Sequence, residues 1–291
     1  MRILKRNFFK DETQSFPHEP VPAWGPRVIT VTSGKGGVGK TSLTVNLAIA
    51  LVQLGQRVII FDADLGLANV DVLLDVAPSL TLYDHIYRDV PIEDILLPGP
   101  GGIKIISGGS GFLELTNLSS SQRAGLLKNI EKLNRMADFV LIDTGAGISK
   151  DVLAFCAAAD DVFMVITPEP TSLADAYGLI KVLDRFKVHR ELFFVVNQTH
   201  NDRETSHTVE RLRAVVDNYL TIKLNYLGDI WYDQAVSRAV KNQRPFILSD
   251  SNARAAIAVK KIAHAILHKE WATEEERGLR GFVNKLSRLF R

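Results

Sequence analysis

The sequence predicts an α/β fold: a doubly wound, mostly parallel sheet, followed by an amphipathic helix at the C-terminus. Three observations carry this. From residue 27 onward, short β-branched apolar runs alternate with segments of helical periodicity, the pattern of a sheet with helices on both faces. Several of the runs are continuously apolar, as parallel strands covered on both sides are. A glycine-rich turn, SGKGGVGKTS over 33–42, joins the first run to the first helical segment.

Residues 1–10, MRILKRNFFK, are basic but have no apolar stretch of the kind a signal peptide needs. Residues 11–26, DETQSFPHEPVPAWGP, contain Pro17, Pro20, Pro22 and Pro26 and read, with 1–10, as an arm or linker (1–26). Strands are expected at 27–33, 57–62, 103–107, 138–143, 161–166, 191–197 and 222–228. Helices are expected at 40–54, 119–135, 148–158, 172–186, 203–218, 233–241 and 252–268, the first closed by Gly55. Together these form one domain over 27–268. A polar spacer follows at 269–276, then a separate helix at 277–291.

The chain has 291 residues, 46% of them hydrophobic, which suits one large domain with appendages. The single cysteine, Cys156, sits in the apolar run VLAFCAAA. One cysteine makes no internal disulfide, and its setting reads as a buried helix position in a protein of a reducing, cytoplasmic compartment. No apolar run reaches the ~18 residues of a spanning helix. Net charge is +2, but Arg277, Arg280, Lys285, Arg288 and Arg291 place +5 in the last fifteen residues, leaving the body at −3. Overall charge is therefore a poor argument for nucleic-acid binding, and no specific nucleic acid is expected.

The turn between the first strand and helix carries chemistry. Gly34, Gly39, Lys40 and Thr41 fill the P-loop pattern G-x-x-x-x-G-K-[ST], in the strand–turn–helix setting that the motif requires. Gly34, Gly36, Gly37 and Gly39, with Val38 among them, let the backbone approach phosphates and turn its N–H groups toward them. The positive end of the following helix faces the same anion. Lys40 is expected on the β- and γ-phosphates, and the Thr41 hydroxyl on Mg²⁺. Lys35, directly after the first glycine, is additional to the pattern.

In such folds ligands bind at the carboxyl ends of the strands. One strand ends in Asp62-Ala63-Asp64 and another in Asp143, followed by Thr144-Gly145-Ala146-Gly147. Asp143 fits the acid that anchors Mg²⁺. Asp62 and Asp64 are expected to point different ways, one toward Mg²⁺ and the other toward an attacking water. The glycines after Asp143 suit a loop that senses loss of the γ-phosphate. Asn197 ends another strand, where its amide suits an adenine edge.

The motifs SGKGGVGKTS, FDADLGLANVD and LIDTGAG together resemble the MinD/ParA family of deviant-Walker ATPases, over about residues 27–268. Within that family the branch of flagellar-number regulators (FlhG, also called FleN or YlxH) is the most similar, through ISGGSG (106–111), DTGAGIS (143–149), PEPTSLADAY (168–177) and AVSRAVKNQRPF (235–246). MinD proteins themselves usually have a proline where this chain has Gly145.

The resemblance implies an ATPase that uses ATP and Mg²⁺ and forms a homodimer with ATP. Lys35 resembles the signature lysine that reaches the partner's phosphates, which makes Lys35, Lys40 and Asp64 the catalytic set, with Asp64 orienting the hydrolytic water. Gly34 to Ser42 and Asn197 would hold the nucleotide, Ser42 near the α-phosphate. Thr41, Asp62 and Asp143 would hold the Mg²⁺ shell, and the segment with Glu169 and Asp175 would border the dimer interface. The implied partners are an FlhF-like GTPase or flagellar basal-body and regulatory proteins. Residues 1–26 lack the DQAxxLR-type helix through which relatives stimulate that GTPase; the nearest segment, KDETQ, has different spacing and no apolar helix after it.

In 277–291 the apolar residues Leu279, Phe282, Val283, Leu286, Leu289 and Phe290 recur at i, i+3, i+4, i+7, i+10 and i+11, one face of a helix whose other face is basic. Such a helix suits either an anionic membrane surface or the protein's own core. Its terminal position, polar spacer and lack of acids favour the membrane, where each basic residue adds about 1 kcal/mol. Relatives end in such a helix too, which implies a cytoplasmic protein reversibly bound to the inner face of the cell membrane, two helices in a dimer binding far better than one. A ParA-like DNA-partition ATPase and a MinD-like division-site ATPase are the alternatives within the family. An amidotransferase-type synthase is a third, and would need a nucleophilic cysteine that mid-helix Cys156 supplies poorly.

Overall fold

A computed structural model describes residues 25–64, 69–108, 118–268 and 277–289. The central sheet has eight strands: β1 (Arg27–Thr32), β2 (Val58–Ala63), β3 (Leu97–Pro98), β4 (Lys104–Ile106), β5 (Phe139–Thr144), β6 (Asp161–Ile166), β7 (Glu191–Thr199) and β8 (Lys223–Trp231). Their order is β3-β4-β2-β5-β1-β6-β7-β8. All neighbours are parallel except β3 and β4, where the antiparallel pairing of Leu97 with Ile105 adds a short edge strand that the sequence does not announce.

Strand alternation divides the core. Ile29 and Val31, Val58 and Ile60, Phe163 and Val165, and Phe193 and Val195 face one side. There they pack against α1 (Lys40–Gln53), α9 (Phe246–Ser249) and α10 (Arg254–His268). Val28, Ile59, Phe61, Val140 and Ile142 face the other side, with α3 (Leu82–Arg88), α4 (Ser120–Ile130) and α5 (Lys150–Ala158). Farther along that side, Val162, Met164, Phe194 and Val196 pack against α6 (Pro170–Phe186) and α7 (Asp202–Tyr219). Two further helices, α2 (Asn69–Leu74) and α8 (Gln234–Lys241), flank the carboxyl ends of the strands, where they line the cleft described below.

The expected helix over 119–135 is α only to Ile130 and finishes as a 3-10 turn over Glu131–Arg135. Helices α2, α3 and α9 have no counterpart in the sequence reading, because four to seven residues are too few to show a 3.6-residue period.

The C-terminal segment departs most from expectation. It is a helix, α11 (Gly278–Leu289), but it lies on the protein's own body against α4, α5 and the 131–135 turn. Leu279, Phe282, Val283 and Leu286 are all at most 6% exposed, so four of the six residues expected to meet a membrane are core here. The Phe282 ring stacks on Phe155, centroids 6.4 Å apart. The Gly278 N–H donates to the Asp160 carboxylate at 2.9 and 3.1 Å, which caps α11 from a distant part of the chain. Leu289 is half exposed, and Phe290 lies outside the described residues, as do the spacer 269–276 and arm residues 1–24. The apolar period is the same whether the helix faces lipid or a groove of its own protein, so sequence alone could not separate the two. Among the described residues no helix is long and apolar enough to cross a membrane.

Candidate nucleotide site

Strand β1 ends at Thr32 and α1 begins at Lys40, so residues 33–39 form the predicted turn. Gly37 and Gly39 have φ of 78° and 91°, in the left-handed region. Two glycines are required by close approach. A Cβ on Gly34 would meet the Asp175 carbonyl carbon at 2.3 Å, and one on Gly39 would meet Asn197 Nδ2 at 2.3 Å. Gly36 and Gly37 have nothing within 4 Å on that side, and their open faces border a cleft of about 440 Å³. The N-terminus of α1 has no side-chain cap and no acid in its first turn, so its N–H groups and dipole are available to an anion.

Behind the loop stands Asp143, fully buried at the end of β5. Its Oδ2 accepts from the Thr41 hydroxyl at 2.6 Å, and its Oδ1 from Lys40 Nζ at 3.1 Å and from Thr44 Oγ1 at 3.0 Å. Thr44 was missed in the sequence, although it is one turn after Lys40 and therefore on the same helix face. In register beside Asp143 lies Asp62, also fully buried. Burial, and then the neighbouring charge of Asp143, push its carboxyl up to about 7. Asp62, expected in the Mg²⁺ shell, also serves the backbone. Its Oδ1 accepts the Asp64 N–H (3.2 Å) and its Oδ2 the Val70 N–H (3.0 Å), so it fastens the chain after β2 to the sheet.

The expectation that Asp62 and Asp64 diverge by strand geometry also needs correcting. Residues two apart in a strand share a face; what separates these two is that β2 stops at Ala63. Asp64, partly exposed, accepts from Asn69 Nδ2 at 3.0 Å. It also lies beside Gly145, whose Cβ position is 3.7 Å from Asp64 Oδ1. Gly147, with φ of 91°, ties the loop after β5 to the phosphate loop through its N–H on the Ser33 carbonyl (2.9 Å).

Two buried carboxylates side by side, one of them hydrogen-bonded to the Thr41 hydroxyl, form a donor set suited to Mg²⁺. This cation takes few protein ligands and completes its shell with phosphate and water.

Lys35 stands apart. Its ammonium leaves the cradle and donates to Glu169 Oε2 (2.5 Å) and Thr171 Oγ1 (2.9 Å), just before and within α6. The hydrogen bond from Lys35, and its charge, hold the Glu169 carboxyl below its usual range. Asn197 lies two residues before the end of β7, which runs on to Thr199, and its Nδ2 donates to the Val38 carbonyl at 2.8 Å. Its first duty is thus to fix the loop to the sheet. Val240 and Gln243 at the end of α8 and Val72 and Leu73 on α2 complete the cleft, and none of these was picked out from the sequence. Cys156 is fully buried and its thiol is pushed up to about 12 by burial, which removes it as the nucleophile an amidotransferase would need.

Residues 29–246 match the CobQ/CobB/MinD/ParA nucleotide binding domain, three quarters of the chain. The chain belongs to that family. It is 42% identical over 240 residues to the antiactivator FleN of Pseudomonas aeruginosa, covering 82% of this chain and 86% of that one. It is 33% identical over 264 residues to the flagellum site-determining protein YlxH of Helicobacter pylori, 89% of each chain. Among solved structures, the septum site-determining protein MinD of Pyrococcus horikoshii, complexed with Mg-ADP, superposes with a TM-score of 0.67 at 25% identity, over 83% of this chain and 96% of that one. This is an α/β P-loop ATPase of the MinD/ParA type, and members of the family use ATP and Mg²⁺.

Proposed function

We propose that this protein is an ATP-driven switch that dimerises around ATP, binds the inner face of the cell membrane through its C-terminal helix, and regulates flagellar number or placement. The observation that carries the reading is Lys35. It arises from the phosphate loop, yet its ammonium sits outside its own cradle on an exposed pair with Glu169 and Thr171. A cation so placed is available to a second molecule docked against the loop.

On this reading Gly34 to Ser42 and the α1 N-terminus take up the phosphates, with Lys40 turning from Asp143 to the β- and γ-oxygens. Thr41 and Asp143, with Asp62 beside them, would hold the Mg²⁺, which would supply charge neutralisation at the phosphates. Asp64 positions the attacking water, Asp62 holds the backbone that carries Asp64, and Lys35 of each protomer completes the other's site. Asn197 positions the loop and borders the base.

The docked tail becomes the output: α11 leaves its groove, and its apolar face exchanges Phe155 and its neighbours for lipid, two helices acting together. The name of YlxH, a flagellum site-determining protein, supports the flagellar role; flagellar regulatory proteins or an FlhF-like GTPase are the partners proposed. A division-site role is the second reading, since septum site-determining proteins are also among the relatives.

The test is Lys35→Ala. It is expected to leave a folded, nucleotide-binding monomer without ATP hydrolysis or ATP-dependent dimers, whereas Lys40→Ala fails at nucleotide binding. Wild-type hydrolysis by Lys35→Ala would make this an ordinary P-loop ATPase.

A further inference from the structure

Two helix ends meet beside the nucleotide cleft. Helix α8 stops in a left-handed residue, Gln243 (φ 51°), with the Gln243 N–H on the Val240 carbonyl and the Arg244 N–H on that of Ala239. Helix α2 stops the same way at Asp75 (φ 51°), with the Asp75 N–H on the Val72 carbonyl and the Val76 N–H on that of Asp71. This end geometry favours glycine, which takes a left-handed conformation without strain. Neither helix uses one.

For Gln243 the side chain supplies a reason. Its Nε2 donates to the Val72 carbonyl at 2.6 Å, while that carbonyl's own turn bond, from Asp75, is long at 3.4 Å. A residue 171 positions away therefore caps α2.

Helix α2 is short and is held at its start by the catalytic segment. The Val70 N–H is on Asp62, and the Asn69 amide is on Asp64. The Gln243 clasp closes the other end, so the element that orients Asp64 is tied at both ends. We propose that Gln243 is a positioning residue for ATP hydrolysis, acting through α2 and Asn69 on the Asp64 carboxylate. This rests on the role given above to Asp64. It adds that α8 and α2 move as a unit, so that whatever displaces α8 also disturbs the water-orienting acid.

The left-handed backbone provides a clean experiment. Gln243→Gly keeps the turn, and removes its strain, while deleting the clasp. Gln243→Glu keeps the length but presents a carboxylate that cannot donate to a carbonyl. In the full-length chain, both variants are expected to raise amide hydrogen exchange in residues 70–76. Both should also cut ATP turnover by roughly tenfold or more, the scale of a misplaced reacting group. Because Gln243 also borders the cleft, binding of a fluorescent ATP analogue is measured alongside, and turnover at saturating ATP should fall by more than binding does. The melting temperature of Gln243→Gly should not fall.

Unchanged exchange in 70–76 overturns the clasp. Raised exchange with wild-type turnover overturns its part in hydrolysis. Wild-type turnover by Asp64→Ala is a distinct result, which removes the role given to Asp64 and leaves the exchange result to stand on its own.

Discussion

Replacing Phe282 by alanine separates a docked helix from an integral one. Phe282 is 2% exposed and stacks on Phe155, itself 1% exposed. Truncating such a phenylalanine inside an ordinary core costs about 3–5 kcal/mol. Here the cost has a ceiling. Once α11 has left its groove, nothing further is lost, so the measured destabilisation cannot exceed the docking free energy of the helix. Helix α11 follows the body's last helix and contributes no strand, and its other anchors include Leu279, Val283, Leu286 and the Asp160 cap. Phe282→Ala is therefore expected to detach the tail before it unfolds the sheet. Hydrogen exchange by mass spectrometry should show loss of protection confined to 278–289 and to the α4 and α5 residues beneath. Urea unfolding of the body should shift by much less than 3 kcal/mol. Global destabilisation of the full 3–5 kcal/mol, with 278–289 still protected, would refute the reasoning and make α11 a permanent part of the core.

Two further substitutions probe the site. Burial pushes the Asp62 carboxyl up to about 7 in the fold, against the usual carboxylate value once unfolded, so the native state holds a proton that the unfolded state gives up first. Its contribution is present below about pH 4 and is lost as pH rises toward 7. Wild type should lose up to about 4 kcal/mol relative to Asp62→Asn across that window; a stability gap between the two that does not change from pH 5 to pH 8 contradicts this. For the loop, Gly36→Ala should leave stability within about 0.5 kcal/mol of wild type, since the space beside Gly36 is open. It should nevertheless abolish tight ATP-analogue binding, because the space is reserved for phosphate; undiminished binding would contradict the cradle.

Much of this was legible in the sequence, for physical reasons. Continuous apolar strands and the loop between β1 and α1 depend on local chemistry, so their positions were readable to within a residue or two at most ends. Lys40, Thr41 and Asp143 converge because P-loop geometry leaves them little choice. Contacts made across the fold were not readable. No local signal says that Lys35 will rest on Glu169, that Asp62 will spend its oxygens on the backbone of Asp64 and Val70, or that Gln243 will cap a helix 171 residues away. The tail is the instructive case. Its amphipathic period was read correctly as a helix with one apolar face, but what that face meets depends on a groove lined by Phe155 and Leu126, which tertiary folding alone creates.

Liposome co-sedimentation of the full-length chain tests the central claim most directly. With a non-hydrolysable ATP analogue and anionic vesicles, the protein should pellet as dimers; with ADP or without nucleotide it should stay in the supernatant with α11 docked. Equal pelleting in all three conditions would contradict an ATP-driven switch.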